Sequence, residues 1–230
     1  MRRIILAALA MCTLVPCAAQ PDHQASPGDA QITLQIDKAG KPTISPEQQQ
    51  VLDGLKMIQS GQIKAALDGP LTDVVNKFEA QYANSNAKIY SARGMTDALV
   101  YATQAASTAG GHKVDVLGPA WAMAYWARGY AYGEMARDDD ERVELEKALA
   151  LAPLDAQYNN ELAYVYMQKR DWTKALDLYR TAEAYADLTA ADPAHAKCVS
   201  FRGQGYVLVE LHRLDEAEAK YRACLAVTPN

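Results

Sequence analysis

The sequence predicts an all-α protein in which antiparallel helix-turn-helix repeats stack as a short solenoid, with a short N-terminal β-strand or hairpin. Two observations predict the repeats. The apolar period is helical almost without a break from Ala120 onward, and this part of the chain superposes on itself after a shift of 34 residues. A third observation predicts the strand, because Ile32, Leu34 and Ile36 alternate with polar residues before an Asp-Lys-Ala-Gly turn.

The first 19 residues have the pattern of a secretory signal peptide. Two arginines precede an apolar run from Ile4 to Val15, and the small residues that follow predict cleavage after Ala19. The stretch "LVPC" also fits a bacterial lipidation site at Cys17, although Pro16 is unusual before such a cysteine. An uncleaved anchor is the third interpretation. All three place the folded part outside the cytoplasm, and we expect a periplasmic protein or one that is lipid-anchored to the bacterial envelope.

Composition and period divide the chain into four segments. These are a signal peptide (1–19), a linker with the short β segment (20–45), degenerate helical repeats (46–118), and three clear repeat units in 119–230. In the third segment, Ser45, Pro46 and Gln48 predict the start of a helix, as N-cap, first-turn proline and capping-box glutamine. Gly69-Pro70 interrupts the next helix, and a further helix is predicted from about Met95 to Thr108, followed by a loop, "AGGHKVDVLGP".

The three repeat units cover about 122–155, 156–189 and 198–230. Each has small residues and bulky apolar residues at matching positions, so that two helices can approach closely while the bulky residues fill the space between them. The residues that carry the pattern are Gly129, Tyr132, Leu145, Ala148, Pro153, Leu162, Ala163, Tyr166, Ala175, Tyr179, Ala182, Gly205, Leu208, Ala217, Tyr221, Cys224 and Pro229. The pattern departs at Glu141, where alanine is expected, and roughly eight extra residues near 189–196 lengthen the second connection.

This pattern resembles the tetratricopeptide repeat (TPR), clearly over about 120–230 and weakly over 46–110. The resemblance implies a concave groove lined by the first helix of each unit, and it implies a protein or an extended peptide as the ligand. The ninth position is a tyrosine in all three units. The predicted partner-binding residues are Trp126, Tyr130, Glu134, Asn160, Tyr164, Met167, Gln168, Arg202, Tyr206 and Glu210. The alternative is that these rings pack against a neighbouring unit or a terminal segment.

Charge and motif content exclude several classes of function. The net charge is −5 and no lysine or arginine block occurs, so a nucleic-acid partner is not expected. The four histidines are isolated, and no metal or cofactor motif is present. Only a lipid anchor would bring this chain to a membrane. We therefore expect no metal, no cofactor and no catalytic residue.

Two cysteines remain after the predicted processing, Cys198 and Cys224. They fall at the start of the first helix and near the end of the second helix of the last unit, which antiparallel packing brings together. In an oxidising compartment they would form a disulfide. The alternative is two small buried residues, because the twenty-seventh position of the repeat requires a residue of about the size of alanine.

These observations predict a non-enzymatic exported scaffold that binds a partner in its groove. One alternative is a periplasmic immunity or inhibitor protein that neutralises a toxin or effector. Another is an enzyme with a site near "NSNAKIYSARGMTD", for which no acid, nucleophile or metal set can be named. Nothing in the sequence selects an oligomeric state.

Overall fold

In the computed structural model of the chain, residues 6–7, 30–35, 43–107 and 113–228 are described. They form two units, which we call the sheet unit (within 1–44 and 82–118) and the helical unit (within 45–81 and 119–230). The strands are β1 (Leu6–Ala7), β2 (Ala30–Thr33), β3 (Lys88–Ser91) and β4 (Val114–Leu117). The helices are α1 (Pro46–Gln59), α2 (Ile63–Ala66), α3 (Thr72–Tyr82), α4 (Met95–Ser107), α5 (Ala120–Glu134), α6 (Asp138–Leu151), α7 (Ala156–Gln168), α8 (Trp172–Thr189), α9 (Pro193–Glu210) and α10 (Leu214–Val227).

The sheet unit is a small α/β arrangement. Among the described residues the strand order is β1-β2-β4-β3, with β2, β4 and β3 parallel and β1 antiparallel to β2. Parallel neighbours require a crossover connection, and α4 supplies it between β3 and β4. Val116 is fully buried, and the Tyr90 ring on β3 stacks on Tyr101 of α4 with ring centroids 4.9 Å apart. The apolar faces of the strands and of the helix therefore share one core.

The sheet corrects the predicted organisation of residues 46–118. Strands β3 and β4 lie where degenerate helical repeats and a loop are predicted. The predicted N-terminal strand exists as β2, with Ile32 and Leu34 buried, but its parallel partner is β4, far along the chain. A strand of four residues is too short to show a clear period, and its pairing is decided by residues distant in sequence.

The start of the helical unit agrees with the sequence prediction. The Ser45 hydroxyl accepts a hydrogen bond from the backbone N–H of Gln48 at 3.0 Å, and Pro46 occupies the first turn of α1. The predicted interruption at Gly69-Pro70 is also present, as a π-helical turn at Leu67–Leu71 between α2 and α3 in which Gly69 has non-helical torsions. Residues 46–81 are therefore helical apart from the turn at residues 60–62.

Three antiparallel helix pairs follow, α5/α6, α7/α8 and α9/α10, and members of each pair pack along each other. Each pair turns through one non-glycine residue with a left-handed backbone, at φ values of 54°, 60° and 58° for Ala136, Arg170 and His212. These three residues occupy the same position in their repeat units. The equivalence of the turns is independent of the apolar pattern and shows that the three helix pairs repeat one local geometry.

The small residues of the repeat lie where the helices approach most closely. Ala163, Ala175 and Ala182 are fully buried in the second pair. In the first pair, a Cβ added to Gly129 would lie 3.1 Å from Leu145. In the last pair, a Cβ on Gly205 would lie 2.7 Å from the Tyr221 ring. Close approach of backbone to a large side chain therefore explains the residue size at these positions.

The extra residues between the second and third units do not form the predicted long connection. Helix α8 continues to Thr189 and α9 already begins at Pro193, so both helices have 18 residues and only residues 190–192 link them. The Asp192 side chain caps α9 by accepting a hydrogen bond from the backbone N–H of His195 at 3.0 Å. Adding residues to two packed helices preserves their hydrogen bonds, which a long loop would expose to water.

Much of the predicted leader lies outside the described residues. This applies to Cys17, to the cleavage point after Ala19 and to the polar tether as far as residue 29. Among the residues that the structure describes, no helix combines the length and the apolar character needed to cross a bilayer.

Candidate partner-binding face

The first helices of the three pairs, α5, α7 and α9, lie side by side. The Trp126 ring of α5 stacks on Tyr158 of α7 with centroids 6.1 Å apart. The Asn160 amide of α7 donates a hydrogen bond to the Ala196 carbonyl of α9 at 3.2 Å and accepts one from the Ser200 hydroxyl at 2.9 Å. Together these helices present one surface, which we call the first-helix face and define by Tyr130, Tyr164 and Tyr206.

The three tyrosines at the ninth repeat position differ in exposure. Tyr164 and Tyr206 are 49% and 46% exposed, whereas Tyr130 is partly buried. The Tyr164 hydroxyl accepts a hydrogen bond from the Gln168 amide at 2.7 Å, and the Tyr206 ring lies 6.4 Å from that of Trp172. Two aromatic rings at equivalent positions are therefore held in place with much of their surface open to a ligand.

Two of the predicted contact residues have a structural role instead. Asn160 is only 7% exposed, because its amide joins α7 to α9, so its prediction as a partner contact needs correction. Trp126 is partly buried between Tyr130 and Tyr158, at centroid distances of 6.2 Å and 6.1 Å. The Trp126 ring therefore supports the Tyr130 ring from beneath.

The other predicted contact residues lie at the surface or close to it. Met167 is partly buried, and its sulfur lies 3.9 Å from the Tyr179 hydroxyl. The exposed members of the set are Glu134, Gln168, Arg202 and Glu210. Tyr132, which the repeat predicts to be a core residue, is only partly buried, with the Arg137 guanidinium 4.5 Å from its ring centroid.

Two carboxylates beside this face, those of Glu141 and Glu161, are not among the site residues predicted from the sequence. The Glu141 carboxyl group packs on Gly133 of α5, where an added Cβ would lie 3.0 Å from it. Burial, followed by the charges of Glu161 and Asp138, raises the pKa of Glu141 to about 7. Burial also raises the pKa of Glu161. Within the described residues neither carboxylate has a hydrogen bond or ion pair. The sequence does mark Glu141, because it stands at the twentieth repeat position where alanine is expected and Gly133 stands at the twelfth. Nothing in the repeat pattern marks Glu161.

The raised pKa of Glu141 predicts a pH-dependent stability. The folded protein keeps this proton at pH values where the unfolded chain, with a carboxyl pKa of 4.5, has released it, so stability falls as the pH rises from 4.5 to about 7. We expect Glu141→Gln to stabilise the protein at pH 8 by on the order of 1 kcal/mol, after allowance for solvent screening. Urea unfolding at several pH values measures this. Glu218→Gln, at an exposed position, is the control, and equal pH slopes in Glu141→Gln and wild type would contradict the prediction.

Polar residues of the segment considered for an enzyme site hold the backbone in place. The Asp97 carboxylate, whose pKa is raised by burial, accepts hydrogen bonds from the backbone N–H groups of Arg93 and Gly94 at 2.7 Å and 2.8 Å. The Ser91 hydroxyl donates to the Gly118 carbonyl at 2.9 Å. In the described part of the chain no three His, Cys, Asp or Glu side chains are grouped closely enough to hold a metal ion.

The two cysteines of the last helix pair are joined in a disulfide. Cys198 of α9 and Cys224 of α10 have Cα atoms 4.3 Å apart, and both lie buried beside Phe201. The structure therefore favours the first of the two interpretations of these residues, a covalent link between the helices.

The helix pairs, their spacing and their equivalent turns together decide the fold of the helical unit. It has a TPR-like fold. No protein-family model matches the chain, and no characterised protein matches its sequence significantly. Among solved structures, a crystal structure of MamA protein is 16% identical, with 79% of this chain and 91% of that chain covered and a TM-score of 0.41.

Two further solved structures are similar to this chain. YrrB, described as "a TPR protein with an unusual peptide-binding site", is 10% identical over 79% of this chain and 86% of its own, with a TM-score of 0.41. A chain of the APC/C hetero-tetramer Cut9-Hcn1 is 15% identical, with a TM-score of 0.43. The match covers 79% of this chain but only 33% of that chain. With identities and TM-scores this low, these similarities support no statement about the function of this chain.

Proposed function

We propose that this chain is an exported, non-enzymatic interaction protein that binds a protein or an extended peptide on its first-helix face. The observation that carries the proposal is the pair of half-exposed rings, Tyr164 and Tyr206, at equivalent positions of two stacked helix pairs. Tyrosine offers a large apolar surface, a hydroxyl for hydrogen bonds and few torsions to immobilise, and it is enriched among residues that dominate binding energy.

The support beneath this face favours binding without rearrangement. Hydrogen bonds of Asn160 tie α7 to α9, and the Trp126 ring supports Tyr130. A surface held in its binding geometry before the ligand arrives loses less conformational entropy on association. The helix pairs thus supply a rigid platform, and the exposed rings supply the contacts.

Export is supported by two independent features. The first 19 residues have the signal-peptide pattern, and the Cys198–Cys224 disulfide belongs to an oxidising compartment. The test is cell fractionation followed by mass determination of the processed chain. A chain that begins at residue 20 agrees with cleavage after Ala19, whereas a lipidated N-terminal Cys17 would mean an envelope anchor. An unprocessed cytoplasmic chain would overturn the proposal of export.

The binding role is tested by affinity purification of the exported chain, with mass spectrometry to identify co-purifying proteins. Truncation of an aromatic residue that dominates an interface costs about 2 kcal/mol or more, so we expect Tyr164→Ala and Tyr206→Ala each to weaken binding at least roughly tenfold. Leu225→Ala is the matched control, because this residue is also exposed but lies on α10. A partner whose affinity is unchanged in both tyrosine variants would remove the first-helix face from the proposal.

A further inference from the structure

The first-helix face has an acidic edge beside Tyr130. The Glu141 carboxyl group packs on Gly133, which lies about one turn after Tyr130 on α5. Glu161 follows by about one turn the Tyr158 ring of α7, which stacks on Trp126 of α5. The pKa of Glu141 is raised by burial and then by the charge of Glu161, in keeping with this placement. The tyrosine and its neighbouring carboxylates therefore belong to one patch of surface.

In the described part of the chain, no basic side chain pairs with the carboxylates of this patch. Within the described residues, Glu141 and Glu161 have no ion pair, and Arg202 on α9 is the one basic residue among the predicted contact positions. A different carboxylate of the same helix shows the contrast. Glu144, three residues after Glu141, is buried and paired with Arg128 at 3.0 Å and with Lys147 at 3.1 Å. Glu144 therefore has counter-ions within the described residues, whereas Glu141 and Glu161, beside the first-helix face, have none.

Partly buried carboxylates and tyrosine rings are complementary to a cationic side chain. An ammonium or guanidinium group donates strong charge-assisted hydrogen bonds to carboxylates, and it is attracted to the face of an aromatic ring. Such a group would also counter the burial and the nearby charge of Glu161 that raise the pKa of Glu141. An acidic or purely apolar ligand would leave both carboxylates unpaired and further desolvated, which is unfavourable.

We propose that the protein segment bound on the first-helix face carries a lysine or arginine side chain that pairs with Glu141 and Glu161 beside Tyr130. This rests on the proposed function and gives its partner a chemical class, a basic peptide segment. The rings of Tyr164 and Tyr206 then contact the neighbouring residues of the same segment. Complementary charge sets the register of the segment on the face and excludes acidic competitors.

The test is selection from a displayed library of random decapeptides against the full chain. Peptides selected by the wild type are expected to be enriched in lysine and arginine, and peptides selected by the double variant Glu141→Gln, Glu161→Gln are expected to lose that enrichment. Binders without a basic preference that are lost in Tyr164→Ala would overturn this inference and leave the proposed function standing. Absence of any binder above the blank support would overturn both.

A selected peptide then allows a quantitative check by fluorescence anisotropy. We expect Glu161→Gln to weaken its binding at least tenfold, and replacement of the peptide lysine by norleucine to weaken it as much. The two changes combined should cause little further loss, because each removes the same pair. Glu218→Gln, whose carboxylate pairs with Arg222 on α10, should bind as the wild type does. Losses that simply multiply, or an unchanged affinity in Glu161→Gln, would overturn the pairing.

Discussion

Replacement of Gly203 by alanine is expected to destabilise the protein by about 2 kcal/mol, although alanine is the better helix former. Gly203 lies within α9 and faces the Tyr179 ring of α8. A Cβ at this position would lie 2.2 Å from Cζ of Tyr179 and 2.4 Å from a neighbouring ring carbon. The ring is 3% exposed and packs among Ala163, Leu176 and Val207, so it has no space into which to retreat. Overpacking therefore outweighs the gain in helix propensity.

Chemical unfolding of Gly203→Ala against the wild type measures this effect. Gly133→Ala is the matched control, because its added Cβ would meet the end of the Glu141 side chain, which can rotate away; we expect it to lie within roughly 0.5 kcal/mol of the wild type. Adding Tyr179→Leu to Gly203→Ala should recover part of the loss, since the smaller side chain leaves room for the methyl group. A Gly203→Ala protein as stable as the wild type would show that the two helices are less closely packed than the structure indicates.

Loss of the Cys198–Cys224 disulfide is expected to have a larger effect, about 3.5 kcal/mol in the chain-entropy description for a bond that joins residues 26 apart. The bond links α9 to α10 and restricts the unfolded chain. The measurement is urea unfolding of a chain beginning at residue 20, with and without reductant. Cys198→Ala combined with Cys224→Ala should reproduce the reduced protein and show no response to reductant.

A thiol titration provides the control for that measurement. The unfolded chain from residue 20 onward contains only these two cysteines, so it should show no free thiol without reductant and two with it. Two free thiols in the untreated protein would contradict the disulfide and would also remove one of the two supports for export.

The helix pairs could be predicted because their determinants are local and periodic. Ala163, Ala175 and Ala182 recur at spacings that only a packed pair of helices explains, and the structure buries all three. The start of α1 was predictable for a similar reason, since Ser45 caps a backbone N–H three residues away. Signals contained within one turn or one repeat can be read without knowledge of the rest of the chain.

The sheet could not be predicted in the same way. β3 and β4 have four residues each, and β4 pairs with both β2 and β3 through a register that depends on residues from distant parts of the chain. The candidate face was likewise predictable only in part. The repeat indicates that Tyr130, Tyr164 and Tyr206 share a position, yet Asn160, from the same predicted set, is buried in contacts with α9.

The sequence by itself therefore determined the repeat, its helix boundaries to within a few residues in most places, and the shared position of the three tyrosines, because these follow from periodic residue size and local capping. Tertiary structure alone decided the parallel sheet, the distribution of the extra residues into α8 and α9, and the lack of an ion pair for Glu141 and Glu161 within the described residues. Burial and charge pairing depend on which residues meet across helices, and no spacing along a single chain specifies that.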